Sequence, residues 1–141
     1  MAVSRADLFT SINKKEEIYS DFLTDLNPHP DTGELARVTN ESAVVRSIRN
    51  LILTNRYERL FQPDLGGNIT SALFQPIGID TVEEIRRIIL ETIQVHEKRA
   101  RVVECSINES PDNHAYFVTL VFYIINKQDP ITTNITLYRV R

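Results

Sequence analysis

Residues 101–137 read RVVECSINESPDNHAYFVTLVFYIINKQDPITTNITL, and this stretch predicts a sheet of three consecutive strands. Val103, Cys105 and Ile107 alternate with polar residues, as in a strand with one buried face. Segment 115–125 is apolar at both parities, which predicts a strand covered on both faces. The last strand alternates Ile and Leu with Thr and Asn. Because short polar turns separate the strands, the stretch predicts an antiparallel meander.

Two main helices are predicted before the meander. Asp80 and Glu83 have the spacing of a capping box that starts the longer helix. The apolar residues of this helix recur with the helical period and form one face, which consists of Val82, Ile85, Ile88, Ile89, Ile93 and Val95. Asn40 is the expected N-cap of an earlier helix over residues 41–54, and a short helix is expected at 68–74. The predicted fold class is α+β, with the two main helices packed on the C-terminal three-stranded antiparallel meander.

The segment before the first helix is rich in turn residues. Segments 18–22 and 34–38 can pair as a short N-terminal hairpin. Residues 1–17 are polar, and we expect them to be mobile. The chain has the length of one compact domain with a substantial core. Residues 18–141 are therefore expected to form a single domain.

The composition is that of an ordinary soluble protein. The 141 residues are 42% hydrophobic and 25% charged, and the formal net charge is −3 at pH 7. This mild acidity argues against a nucleic-acid partner, since such binders carry a basic excess. The N-terminal sequence lacks an apolar signal core and no apolar run is long enough for a bilayer, so no membrane association is expected. Cys105 is the only cysteine, which excludes an internal disulfide.

The sequence contains no catalytic or metal-binding pattern. The carboxylates that could serve a glycosidase are scattered rather than paired, at Glu58, Asp64, Glu97 and Glu104. The three histidines lack the spacing of zinc ligands. We therefore expect no catalytic residue, no metal site and no cofactor.

The last two strands carry almost no charge. Between Ala115 and Tyr138 only Lys127 and Asp129 are charged, although charged residues normally protect a sheet edge from pairing with other chains. Such an edge is covered either by the protein's own helices and hairpin or by a strand from a partner. The sequence leaves both alternatives open.

Several motifs together resemble one protein family. They are the run NRYERLFQPDLG at 55–66, Leu-Phe-Gln-Pro at 73–76, the capped helix, and Glu97-Lys98-Arg99 before a Val-rich strand. At these separations the pattern resembles the lysozyme-like baseplate wedge family of contractile phage tails, over roughly residues 35–141. Relatives occur in type VI secretion baseplates. The chain has Tyr57 where the family commonly has Gly, and Lys98 where it commonly has Pro.

The resemblance implies a structural function and the residues that serve it. By position, the residues that would shape and clasp the surface toward other wedge subunits are Glu58, Arg59, Pro63, Gly66, Glu97 and Arg99. The C-terminal strands would be similar to the strand-exchange part of a sheath subunit, so that the wedge nucleates sheath assembly. The residues expected to contact sheath are Ile131, Thr133, Ile135, Leu137 and Arg139.

The resemblance also implies partners and a location. The partners would be other baseplate wedge subunits and the tail sheath protein, with the tail tube or hub as further candidates. The protein would lie in the tail baseplate of the virion, after assembly in the host cytoplasm.

Two other functions stay open. The lysozyme label of the family raises a peptidoglycan hydrolase of the tail, and helix-plus-meander domains also serve as intracellular adaptors. We favour the structural function and expect no enzyme, because a hydrolase needs paired carboxylates that the sequence does not indicate.

Overall fold

The computed structural model describes residues 17–139 except positions 24, 31 and 126. The expected mobile segment lies outside the described residues, apart from Glu17. The chain divides into two compact units, one up to Asn40 and one from Glu41 onward. The single domain over residues 18–141 stays a prediction.

The first unit contains the expected N-terminal hairpin. Strand β1, Ser20–Phe22, pairs antiparallel with β2, Arg37–Thr39. Asn40 connects the end of this unit to the segment before β1, because its side-chain oxygen accepts a hydrogen bond from the Ile18 N–H at 2.9 Å. Its own N–H donates to the Tyr19 carbonyl at 2.7 Å. The Asn40 side chain was expected to cap the following helix, and this stays a prediction; its oxygen also accepts a hydrogen bond from the Tyr19 N–H at 3.4 Å.

The helices agree with the predicted apolar periodicity. They are α1, Asn40–Leu53; α2, Ile69–Leu73; and α3, Ile79–His96. The buried side of α1 consists of residues at helical spacing, Ala43, Val44, Ile48, Leu51 and Ile52. Helix α3 packs against α2 and against the sheet. Its buried side consists of Thr81, Ile85, Ile89, Thr92 and Ile93.

The predicted capping box of α3 is wrong. The helix begins two residues earlier than expected, so its N-cap is Gly78, which has no side chain to cap it. Asp80 lies inside the first turn, where its charge faces the positive end of the helix dipole. The hydroxyl of Thr81 donates to the Pro76 carbonyl at 2.7 Å and fixes the entry of the chain into α3.

The C-terminal half forms the predicted antiparallel meander. Strands β3, Ala100–Ser110; β4, Ala115–Ile124; and β5, Ile131–Tyr138 pair in the order β3-β4-β5. The buried face of the sheet includes Tyr116, Val118, Leu120, Phe122, Ile135 and Leu137. The fold class is therefore α+β, as predicted.

Two expectations about the strands are wrong. A β-bulge between Val102 and Glu104 turns Val103 outward, so Val103 is 60% exposed instead of sharing the buried face with Cys105. Strand β4 is covered on one face only, since Phe117 and Tyr123 of its other face are exposed. Alternating burial along a central strand of one sheet layer explains this result, although the sequence is apolar at both parities.

Candidate functional site

Glu97 and Arg99 form a clasp where α3 ends and β3 begins. Glu97 is the C-cap residue of α3, and only 3% of it is exposed. The Arg99 Nε donates to Oε1 of Glu97 at 2.6 Å, and its Nη2 donates to Oε2 at 2.6 Å. This bidentate pairing, predicted from the resemblance as a clasp, fixes the helix-to-strand corner.

The electrostatics of the clasp keep Glu97 ionised. Burial raises the pKa of the Glu97 carboxyl, but hydrogen bonds from Arg99 and Ser47 and the charge of Arg99 outweigh burial and lower it. Ser47 belongs to α1, so one carboxylate links α1 to the junction of α3 and β3. A carboxyl held as an anion suits a structural ion pair and does not suit a general acid, which needs a raised pKa.

Glu58 and Pro63 shape the turn that follows α1. The Glu58 carboxylate accepts a hydrogen bond from the Asn55 N–H at 2.9 Å. The Pro63 carbonyl accepts from the Tyr57 N–H at 2.8 Å. Tyr57 has a φ of +67°, so the position where the family commonly has Gly has the left-handed backbone that Gly favours. Both predicted residues therefore hold one turn.

Gly66 and Gly67 let this turn lie close to the helices. Gly66 has a φ of +98°, and a Cβ there would lie 2.2 Å from the Thr54 carbonyl oxygen at the end of α1. A Cβ on Gly67 would lie 2.6 Å from Oγ1 of Thr92 on α3. Gly66 was predicted as a site residue, and Gly67 was missed although it follows directly in the sequence.

The structure brings the predicted residues together in two groups rather than one. Glu97 and Arg99 form the clasp, whereas Glu58, Pro63 and Gly66 order the turn. Arg59 is exposed, and its guanidinium has no hydrogen bond or ion pair within the described part of the chain.

Along β5, the backbone N–H and C=O groups of successive residues point alternately toward β4 and away from it. Arg139 N–H donates to the His114 carbonyl at 2.8 Å, and this pair continues the register in which Ala115 lies opposite Tyr138. Antiparallel strands alternate between residues bonded to the neighbour and residues that point away. The odd-numbered residues of β5, predicted to contact sheath, therefore bond β4; Ile135 and Leu137 are buried, whereas Ile131 and Thr133 are partly buried. The guanidinium of Arg139 donates to the Leu73 carbonyl at 3.3 Å.

The even-numbered residues of β5 form an open edge. The residues whose N–H and C=O groups point away from β4 are Thr132, Asn134, Thr136 and Tyr138. Among the described residues, β4 is the only strand that pairs with β5. The sequence does not show which residues of β5 face the edge, because this depends on the register set by the β4–β5 turn. We call these four residues the β5 edge.

The opposite edge of the sheet is protected. Strand β3 carries the exposed charges of Arg101, Glu104 and Glu109, and it contains the bulge at Val103. Charges and bulges both disfavour pairing with a further strand. The two edges of the same sheet thus differ in their capacity to accept a strand.

Other chemistry finds no support in the described part of the chain. No group of three or more His, Cys, Asp or Glu could hold a metal ion there. No helix there is long and apolar enough to cross a membrane. Cys105 is buried, and burial raises the pKa of its thiol, so it is a poorly reactive core thiol.

Comparisons with known proteins agree with this architecture. The model of a family described as Baseplate wedge protein gp25 matches residues 38–128. No curated protein matches the sequence.

Three solved structures share the fold. A candidate tail lysozyme from Geobacter sulfurreducens has a TM-score of 0.67 and 20% identity, and the match covers 74% of this chain and 95% of that one. A chain of the anti-feeding prophage baseplate has a TM-score of 0.69 and 25% identity, covering 79% and 89%. A chain of the post-contraction pyocin R2 baseplate has a TM-score of 0.51 and 10% identity, covering 77% and 94%.

The likeness to the candidate lysozyme, at 20% identity, shows the fold alone and not an activity. The family model, in contrast, matches more than half of the sequence. The chain therefore belongs to the family of baseplate wedge proteins, which are structural components of contractile tail-like systems.

Proposed function

We propose that this protein joins other baseplate subunits and that its β5 edge accepts a strand of the tail sheath protein. The baseplate would thereby nucleate sheath assembly. The observation that carries this proposal is the open, uncharged β5 edge. Assembly would take place in the host cytoplasm, and the tail tube or hub are further candidate neighbours.

The chemistry of β5 supports strand addition. The strand has no charge, no proline and an unbroken register with β4, so none of the usual protections of an edge is present in it. An added strand would bond the four outward N–H and four outward C=O groups of the β5 edge. Ile131 and Thr133 are only partly buried, so alternate apolar side chains of the added strand could extend the core beside them.

The clasp and the turn support a separate contact with other wedge subunits. Glu58, Pro63 and Gly66 hold the turn in one conformation, and Glu97 with Arg99 fixes the corner between α3 and β3. A surface whose shape is fixed before binding loses little conformational entropy on association. We propose that these residues shape the wedge interface and that Arg59 contacts a partner there.

The decisive variant for the sheath contact is Asn134→Pro. The Asn134 N–H points to the open edge, so its loss leaves the β4–β5 bonds intact while blocking an added strand. We expect the variant to fold and to enter baseplates, while electron microscopy shows particles with no sheath of full length. Normal sheath on particles that carry this variant would contradict the proposal.

Thr133→Pro is the matched control. The Thr133 N–H bonds β4, so proline at this neighbouring position removes a ladder bond and should lower the thermal stability of the purified protein. Asn134→Pro should unfold close to the wild-type temperature. If the two variants were equally unstable, the assigned direction of the β5 edge would be wrong.

A further inference from the structure

We propose that the β5 edge of the free protein is covered by the β5 edge of a second copy, in a symmetric antiparallel pair. The pair joins two three-stranded sheets into one continuous sheet. This inference rests on the proposed function, because it names what regulates the edge that accepts sheath. While two copies are paired, neither of them can bond a sheath strand.

The β5 edge is accessible to a partner over its length. Thr132 and Asn134 are exposed, and Tyr138 at the end of the strand is 71% exposed. Among the described residues, no strand except β4 pairs with β5. An uncharged, regular edge pairs readily with other chains when nothing covers it. The free protein therefore needs an occupant for this edge before sheath is present.

One antiparallel register of β5 with itself uses the whole β5 edge. This register is centred on Ile135, so that Thr132 lies opposite Tyr138 of the second copy and Asn134 lies opposite Thr136. These residues are the ones whose backbone groups point away from β4. Each of them then bonds the second copy through both its N–H and its C=O.

The two neighbouring symmetric registers lose some of these bonds. A pair centred on Asn134 places Tyr138 opposite Pro130, which has no N–H to donate. A pair centred on Thr136 places Thr132 opposite a position beyond the end of β5. The strand therefore specifies its own register, with Ile135 at the twofold axis.

The charges at the two ends of β5 favour a second copy in the antiparallel orientation. Asp129 lies two residues before the strand, and Arg139 directly follows it. Asp129 is exposed, and its carboxylate has no hydrogen bond or ion pair to any residue that the structure describes. Antiparallel pairing brings the start of each strand beside the end of the other, so opposite charges meet at both ends. Parallel pairing would bring like charges together.

The side chains on the buried face of the sheet fit this register. Thr133 lies opposite Leu137 of the second copy, and the two buried Ile135 side chains meet at the axis. Thr133 is only partly buried within one chain, so the second copy completes its burial. The apolar layer of each sheet thus continues across the axis into the other sheet.

The first test measures the mass of the purified full chain by sedimentation velocity. An interface made by two edge strands is small, so we expect the dimer fraction to rise between about 1 μM and about 1 mM. Asn134→Pro should stay monomeric over this range, because it removes an N–H of the edge. Wild type that is monomeric throughout, or Asn134→Pro that dimerises as wild type does, would overturn the inference.

Asp129→Arg tests the charges at the strand ends. It should weaken the dimer about tenfold, because like charges then meet at both ends of the pair. Glu104→Arg is the matched control, since it makes the same change of charge at an exposed residue on the opposite edge of the sheet. It should dimerise within about twofold of wild type. Equal dissociation constants for the two variants would contradict the antiparallel pair.

Oxidation of mixed single-site variants tests the register. Asn134→Cys and Thr136→Cys lie opposite each other across the pair, at a Cα separation of about 5.5 Å that a disulfide can span. We expect the mixture to form linked heterodimers faster than either variant alone forms homodimers. Cys105 is buried and does not compete. Equal rates for the mixture and the single variants, or no linkage, would show that the register is wrong.

Failure of this inference is distinguishable from failure of the proposed function. A monomeric wild type whose sheath assembly is still blocked by Asn134→Pro would refute the dimer alone. A dimeric wild type whose sheath grows normally on Asn134→Pro baseplates would refute the sheath contact alone.

Discussion

Glu97 shows how one buried carboxylate can connect three segments of a small protein. Its oxygens accept from Arg99, which directly precedes β3, and from Ser47 on α1, while its backbone N–H bonds the Ile93 carbonyl of α3. Burying a charge is costly unless the charge is paired and hydrogen-bonded. Both conditions are met here, so we expect the clasp to contribute to stability.

Glu97→Gln should lower the free energy of unfolding by about 2 kcal/mol at pH 7, because a charge-assisted bidentate pair is lost. Urea unfolding of the purified variant and of wild type measures this difference. Glu104→Gln, which changes an exposed carboxyl, is the control and should be nearly neutral.

The difference in unfolding free energy between wild type and Glu97→Gln should depend on pH. The pKa of Glu97 is lower in the folded protein than its ordinary value of 4.5, so the unfolded chain takes up a proton first as the pH falls. The stabilisation is complete above pH 4.5 and is lost as the pH falls through the folded pKa. The gap between wild type and Glu97→Gln should therefore shrink in acid. A gap that stays constant down to pH 3 would contradict this account.

Gly66→Ala should be among the most destabilising single changes outside the core. The left-handed backbone and the close Thr54 carbonyl both oppose a Cβ, and together they should cost about 2 kcal/mol or more. Thermal unfolding measures the effect. Gly78→Ala, where the backbone is extended and the added Cβ meets no atom within 4 Å, should leave stability unchanged or slightly raised. Similar losses in both variants would show that the Thr54 contact does not matter.

At the scale of elements, the start of α3 offers a way to stabilise the protein. Gly78 is the N-cap and provides no side-chain oxygen, although the first N–H groups of a helix need acceptors. Gly78→Ser supplies a hydroxyl and also restricts the unfolded chain. We expect a gain of about 0.5–1 kcal/mol, seen as a melting temperature a few degrees higher.

Gly78→Ala separates the two contributions, because it restricts the unfolded chain without providing an acceptor. If the serine variant were no more stable than the alanine variant, the hydroxyl would not be capping α3. Neither substitution changes a site residue, since Gly78 lies outside both the clasp and the turn.

The elements also show what a sequence can and cannot predict. The buried stripes of α1 and α3 were predictable because burial repeats over several helical turns, so one atypical residue does not hide the period. The bulge at Val103 was not predictable, because a single extra residue changes the face on which the following side chains lie without changing the composition of the strand. The bond from Ile18 to the Asn40 side chain was not predictable either, because the two residues lie 22 positions apart along the chain.

Part of the candidate site could also be predicted from the sequence. The clasp of Glu97 and Arg99 was predicted from the family resemblance, whereas the Ser47 contact requires the packing of α1. The exposure of Leu60 and Phe61 could not be predicted, because apolar residues in a sequence usually indicate the core. The direction of the β5 edge required the register of the meander.

For the whole molecule, we expect no hydrolysis of peptidoglycan. Glu58 bonds the backbone of its own turn and Glu97 is held as an anion by Arg99, so neither carboxyl is arranged as the acid of a glycosidase pair. A turbidity assay with purified cell walls should show equal, background rates for wild type, Glu58→Gln and Glu97→Gln. Cleavage by wild type that either folded variant loses would establish the hydrolase instead.

The inequality of the two sheet edges limits how many neighbours one molecule can recruit through backbone pairing. A sheet open on both sides can polymerise without end, as fibre-forming chains do. This sheet has a bulge and charges on its β3 side, so we expect it to accept at most one added strand, on its β5 side. Surplus copies could at most close into pairs, and growth from each wedge would proceed outward in a single direction.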